Sequence, residues 1–289
     1  MRSQNRPQLA VVYIVLILVA MIMAGPFAWM VLSSIKPNQD LFAYPPVWLP
    51  KRITWEHFKT VFSHTNFFRY FLNSALVASI ATVTNVMLGS LAGFAFARLE
   101  FPGREPIFYA LLGTMMIPIH VTIVPLFILA RRFPLTGGNN VLGVGGKGLI
   151  DSYGGLLFPY LITTFSVFMT RQFFASLPRE LDDAARIDGC SDLGVFMRVC
   201  LPLSRPVIAT LSIFTFTNVW DDFLWPLVIV NRDQMRTVQL GLQVFQSQFS
   251  VDWGPLMAAT LVVTLPVLLI FAVGQKYFVE GIATTGMKG

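Results

Sequence analysis

The chain has 289 residues, 55% of them hydrophobic and only 12% charged, against roughly 25% charge in an ordinary soluble domain. A mean hydropathy of +0.64 points to lipid as the solvent, so the net charge of +6 bears on loop placement rather than on nucleic acid. The two cysteines, Cys190 and Cys200, fit no zinc spacing and have no histidine nearby.

A helix needs about 20 apolar residues at about 1.5 Å each to cross roughly 30 Å of hydrocarbon. Six segments meet that length, approximately 9–35, 70–97, 106–130, 152–174, 206–230 and 253–275. They predict an all-α integral membrane protein of six transmembrane helices, a single membrane domain over 1–289. The first run far exceeds the h-region of a cleaved signal and lacks an A-x-A-like site. Six spans put both termini on one side. Lys and Arg divide almost evenly between the sides, and the shorter loops on the termini side assign both termini to the cytoplasm. Cys190 and Cys200, in a loop on that side, then stay reduced.

After the first span comes a proline-marked loop, 36–69. Thr54 reads there as the N-cap of a short interfacial helix with Trp55, Phe58, Val61 and Phe62 on one face and His57 on the polar side. Span two carries Gly89, Gly93 and Ala97 at the four-residue spacing that lets helix backbones approach in lipid. The stretch "NNVLGVGGKG", 139–148, looks like a phosphate loop and is not one. Gly148 stands where Ser or Thr should hold Mg²⁺, and Val141 where the first glycine should be, so it reads as a flexible connection. Pro26, Pro118, Pro125, Pro159, Pro226 and Pro266 lie inside the spans and predict interrupted helices.

Span five contains "FTNVWDDFLWPLV", with Asn218, Trp220, Asp221 and Asp222. Asp221 lies about 22 Å of helix past Pro206, among interfacial tryptophans. The pair has two readings, a cap on the outer end of span five or a polar lining of a solute pathway.

Between spans four and five the loop 175–205 is dense in charge. Pro178, Glu180, Asp182 and Asp183 suit a helix N-terminus, with Leu177, Leu181, Ala184 and Ala185 on one face. Gly189 suits the left-handed C′ position that ends a helix. Ser191 caps a second helix with an apolar stripe of Val195, Phe196 and Val199, and Pro202 with Pro206 closes it. The predicted unit is helix, tight turn, helix on the membrane surface, with small side chains that enter a partner's pocket and charges that fix register.

"ELDDAARIDG…LPLSRP" resembles the EAA loop of permease subunits in binding-protein-dependent ABC importers, most closely the carbohydrate permeases of the maltose-permease type. Asp183-Ala184-Ala185 stands for Glu-Ala-Ala, Gly189 for the glycine and Leu201-Pro202 for the terminal pair. Asn73-Ser74 at the start of span two and the Gly/Thr-rich tail 281–289 are similar as well. The resemblance implies a cytoplasmic coupling loop in which Glu180, Asp183, Ala184, Ala185, Gly189, Leu201 and Pro202 engage an ATPase. It implies two ATPase subunits that carry ATP and Mg, a second related permease and an extracytoplasmic solute-binding protein that faces 231–252. This chain would bind no cofactor or metal, perform no catalysis and contact membrane lipid but no nucleic acid. The solute implied is a sugar or polyol, the alternative glycerol 3-phosphate or another non-sugar solute.

A stand-alone secondary transporter or membrane enzyme is the remaining class. The sequence has neither HExxH nor GxSxG, and its three histidines are His57, His64 and His120.

Overall fold

The computed structural model describes residues 6–246 and 250–285, with side chains over 9–246 and 250–275. Among them the regular structure is helical apart from one isolated bridge, Gln246 to Val251. Three helices are long and apolar enough to cross a membrane alone: Leu9–Ser34, Phe67–Arg98 and Trp253–Gln275. They correspond to spans one, two and six. Pro26 and Pro266 sit inside continuous helices.

The other three spans, expected over 106–130, 152–174 and 206–230, are each interrupted. Span three is Arg104–Thr114 followed by Ile119–Arg131, bent by 104°. Pro118 is extended at the break, where it has no N–H to continue the ladder. Span four is Tyr153–Tyr160 followed by Thr164–Ser176, bent by 43°. Span five runs as Arg205–Asp221, stops at Asp222 and resumes as Leu224–Ile229.

The chain forms two compact units, Met1–Phe67 with Gly241–Pro266, and Phe68–Leu240 with Val267–Gly289. In the first, Lys36 is buried under the ring of Trp29, 4.2 Å from its centroid, and its ammonium donates to the carbonyl of Val47 at 2.7 Å. His57 is buried beside it, Nε2 2.7 Å from the carbonyl oxygen of Lys36, not on the polar side of its helix. The helix Glu56–Ser63 turns Val61 and His57 inward and leaves Trp55 and Phe62 exposed, because His57 completes the turn after span one.

In the second unit, spans two and four pack backbone to backbone. A side chain at Gly89 would meet Ser166, and one at Gly93 would lie 2.1 Å from Thr170 Oγ1. Thr170 Oγ1 uses the gap to donate to the Gly89 carbonyl at 2.9 Å. The small-residue spacing is thus a packing seam inside the chain. The start of span two is held by Asn73, whose amide donates to the carbonyls of Gln234 and Arg236 at 2.9 and 2.8 Å and accepts from the Tyr153 hydroxyl at 2.7 Å.

The 139–148 connection is an ordered knot rather than a flexible link. Asn139 is buried, donates to the carbonyls of Arg131 and Phe133, and accepts from Gly146 N–H at 2.8 Å. The glycines there give room for this internal bonding, not for a phosphate.

Filling the seam separates the two helices. Gly93→Val destabilises the folded protein by about 3 kcal/mol, at the upper end for overpacking. Thermal unfolding in detergent reads this as a lower midpoint, while Gly113→Ala, where a side chain meets nothing within 4 Å and the helix favours alanine, does not lower it.

Candidate functional site

The segment between spans four and five forms the two-helix unit expected of it. Its first helix is Glu180–Ile187, with Glu180, Asp182 and Asp183 in the first turn where the helix dipole favours them. Gly189, at φ +84°, ends it. The N–H of Gly189 reaches the Arg186 carbonyl at 3.0 Å and that of Cys190 the Ala185 carbonyl at 2.9 Å, the paired bonds of a left-handed glycine stop. Ser191 then caps Asp192–Val195. A π turn, Phe196–Cys200, and Leu201–Leu203 complete the unit before Arg205 opens span five. Arg186 bridges the glycine turn to Asp192 at 2.9 Å, an exposed pair worth little by itself.

Burial divides this helix differently from the expected grouping of Ala184 with Ala185. Ala185 is buried in an apolar cluster with Phe94, Phe174, Val195, Phe196 and Cys200, and Leu177 and Leu201 pack on its edge. Ala184 is exposed, as are Glu180, Leu181 and Asp183. The carboxylate of Asp183 is 70% exposed, with Arg186 no nearer than 3.9 Å. Ile187, at 87% exposure, stands out beyond them. The two alanines sit about 100° apart around the helix, so one packs inward and the other faces out. Pro202 is exposed too.

Behind the inner face lies a buried ion pair. Asp182 Oδ2 is 3.2 Å from Nε of Arg98, the last residue of span two, with the two side chains only 7% and 3% exposed. Arg98 also donates to the carbonyl of Leu177 at 2.9 Å, just past span four. Cys200 Sγ lies 3.8 Å from the other Asp182 oxygen. Burial pushes the Cys200 thiol up to about 11, and the Asp182 charge pushes it the same way. Sequence reasoning placed Asp182 only at the helix dipole and gave Arg98 no role. The signal that names the partner is the fold, which brings the end of span two under the helix.

On span five, Asn218 and Asp221 are exposed and Asp222 is half-buried. Asp221 accepts from Gln239 Nε2 at 3.3 Å. Asp222 is used at the helix break, accepting from Leu224 N–H at 3.0 Å and from the Tyr160 hydroxyl. Trp220 is buried between Phe71, edge-on at 5.2 Å, and Phe216, stacked at 5.6 Å, so its ring packs inside the bundle. Among the described residues no group of His, Cys, Asp or Glu is placed to hold a metal ion. The tail 281–289 falls partly on residues 286–289, outside the described residues.

Residues 85–284 match the family described as binding-protein-dependent transport system inner membrane component. The arabinooligosaccharides transport system permease protein of Bacillus subtilis is 32% identical, over 99% of each chain. The diacetylchitobiose uptake system permease protein of Streptomyces coelicolor is 34% identical over 95% of this chain and 87% of its own. The trehalose/maltose transport system permease protein of Thermococcus litoralis is 31% identical over 94% of each. The fold is similar to that in the crystal structure of a bacterial ABC transporter involved in the import of the acidic polysaccharide alginate. That match has a TM-score of 0.81 at 21% identity, covering 96% of this chain and 100% of the other.

The two neighbouring aspartates respond differently to neutralisation. Asp182→Asn strands the Arg98 charge and destabilises the fold by about 3–5 kcal/mol, while Asp183→Asn changes it by less than about 0.5 kcal/mol; thermal unfolding separates them. With its thiol raised to about 11, Cys200 stays neutral at pH 8. Iodoacetamide therefore labels Cys190 and spares Cys200 in the folded protein, as peptide mass spectrometry reads directly.

Proposed function

We propose a function from one premise: the chain belongs to the family of binding-protein-dependent transport system inner membrane components, the permease subunits of ABC importers. Its work is to form half of the passage for a sugar or related polyol across the cell membrane. The relatives' names carry the solute class, since they describe uptake of arabinooligosaccharides, diacetylchitobiose and trehalose or maltose. A second, related permease supplies the other half. Two ATPase subunits carry ATP and Mg, and an extracytoplasmic binding protein delivers the solute. Both termini and the 175–205 segment lie in the cytoplasm in this reading, and the 231–252 loop faces the binding protein.

The observation that carries the coupling role is a helix free on one side and locked on the other. Leu181, Ala184 and Ile187 offer apolar surface between the carboxylates of Glu180 and Asp183, while Ala185 and Asp182 fasten the helix to the bundle. Such a surface fits an apolar cleft with a basic rim on an ATPase subunit. Gly189, Leu201 and Pro202 hold the angle between the two helices, and so act on the ATPase indirectly. A push on the helix is delivered to the spans because no solvated gap lies behind it. In this reading the solute passes along the exposed side of span five, where Asn218 and Asp221 supply hydrogen-bonding groups. Trp220, buried, supports that wall from behind.

Affinity purification of the chain from its native membrane in mild detergent tests the assignment. An ABC ATPase and a second permease come with it. Asp183→Lys combined with Ala184→Trp lowers ATPase recovery about tenfold or more, since each presents an unfavourable group to the cleft. The same variant retains the wild-type unfolding midpoint, because neither side chain is buried. Undiminished ATPase recovery from it would remove the coupling role from this face.

A further inference from the structure

Spans four and five are each interrupted, and the interruptions are joined. At the break in span four, Asn85 of span two is wholly buried and serves both sides of the gap. Its Nδ2 donates to the carbonyl of Tyr160, the last residue of the first half, and to the Ala81 carbonyl at 3.0 Å. Its Oδ1 accepts from the N–H and the hydroxyl of Thr163, at 2.9 and 2.8 Å, where the second half begins. One amide thus replaces the helical partners lost at the break.

The Tyr160 side chain then leaves span four and donates its hydroxyl to Asp222 Oδ2, while Asp222 Oδ1 accepts from Leu224 N–H across the break in span five. Beyond the breaks, the outer halves are fastened at two further levels. Trp225 Nε1 donates to the Gly155 carbonyl at 2.9 Å. Asp151 Oδ1 accepts from the N–H groups of Asn231 and Arg232 at 2.7 and 2.8 Å. Three levels of bonding join 151–160 to 222–232, and the main-chain ladder is interrupted at only two places, 161–163 and 222–223.

We infer that the outer halves of spans four and five form one leaf hinged at the paired breaks, with Asn85, Tyr160 and Asp222 as the residues that set the hinge. Inside a bilayer a backbone group released at one break finds no water to replace its partner. Loosening either break therefore withdraws the support of the other. Both Asp222 oxygens are taken by this bonding, which makes Asp222 a positioning residue. Its neighbour Asp221, exposed and accepting from Gln239 at its side, is the carboxylate left for solute. The role of the leaf in transport rests on the permease reading above; the joining of the two breaks does not.

Hydrogen exchange on the assembled complex in nanodiscs tests the joining without a known solute. Asn85→Ala speeds exchange about tenfold at Thr163 N–H, whose acceptor it removes, and by a similar factor at Leu224 N–H. All of the hydrogen-bond partners described for Asn85 lie in spans two and four, so the shortest bonded route from it to Leu224 runs through Tyr160 and Asp222, and the Tyr160→Phe background tests that route against the links at Trp225 and Asp151. In a Tyr160→Phe background, Leu224 is already fast and adding Asn85→Ala changes it no further. A rise confined to 161–164, or additive effects in the double variant, overturns the joining. Tyr160→Phe alone, which leaves every Asn85 hydrogen bond in place and removes only the hydroxyl to Asp222, is the milder variant and must raise Leu224 as well. If none of these variants assembles, the bonding serves folding alone and the proposal falls. A parallel sample with ATP and vanadate separates the two readings: wild-type exchange unmoved by ATP anywhere sinks the permease coupling and leaves the joined breaks standing.

Discussion

Arg98 and Asp182 meet where neither reaches water, and the orientation of the helix Glu180–Ile187 follows from that contact and from the apolar cluster beside it. A buried charge that loses its partner is left with a desolvation penalty nothing offsets, so a helix carrying one half of such a pair is not free to roll. Turning Glu180–Ile187 by one residue, about 100°, would either seat Asp183 near Arg98 while driving Arg186 into the apolar cluster that Ala185 fills, or bring Leu181 beneath the guanidinium and leave it unpaired. The pair and the cluster together decide which carboxylate points inward and which faces out. The ion pair's weakness as a source of net stability is compatible with this use, since what it supplies is a unique arrangement, as buried polar groups do in some other folds.

The same pair ties the helix Glu180–Ile187 to two spans at once. Arg98 ends span two, and its second bond holds the Leu177 carbonyl at the end of span four. The rings of Phe94 and Phe174 are 6.2 Å apart beside Phe196 from the segment's second helix, so both spans touch it through close-packed side chains. Above that cluster, the Gly89 and Gly93 seam keeps spans two and four in register. Interiors packed at this density pass on small shifts rather than absorb them. Arg171 reinforces the arrangement, with both Glu105 oxygens within 3.1 Å of Nη2 and its guanidinium 3.9 Å from the Phe108 ring, which ties the start of span three to span four.

Much of this plan was legible in the sequence, and the rest was hidden for definite reasons. Apolar length identified all six segments, span five despite Asp221 and Asp222, because the requirement to cross hydrocarbon is one-dimensional. The capped turn at Gly189 was legible too, since its signal is local: acids, a glycine, then Ser191. Proline marked the breaks only in part. Pro26, Pro125 and Pro266 lie within continuous helices, whereas Pro118 stands at a 104° bend and the gap in span five opens at Asp222, before Pro226. Whether a proline breaks a span depends on what satisfies the freed carbonyl, and that partner is on another segment. Asp182 and Asp183 are identical side chains in adjacent positions; only Arg98, distant in sequence, distinguishes them. His57 was misread as polar-facing for the same reason, because its acceptor is the Lys36 backbone.

The broken spans follow from one constraint. In hydrocarbon every interrupted helix turn must find substitute donors and acceptors, and here side chains supply them: Asn85 at span four, Asp222 at span five. A carboxylate committed in this way is structural however polar the span looks, which is why the Asp221–Asp222 pair does not act as a pair. One residue of helix rotation turns Asp221 outward while Asp222 folds back on Leu224 and Tyr160. The exposed wall of span five thus gains a hydrogen-bonding group at the level where its helix stops. The break that frees Asp222 from the helix ladder also sets Asp221 at the end of a helix beside Gln239, so one interruption in span five gives two adjacent carboxylates different surroundings, one bonded into the break and the other facing out.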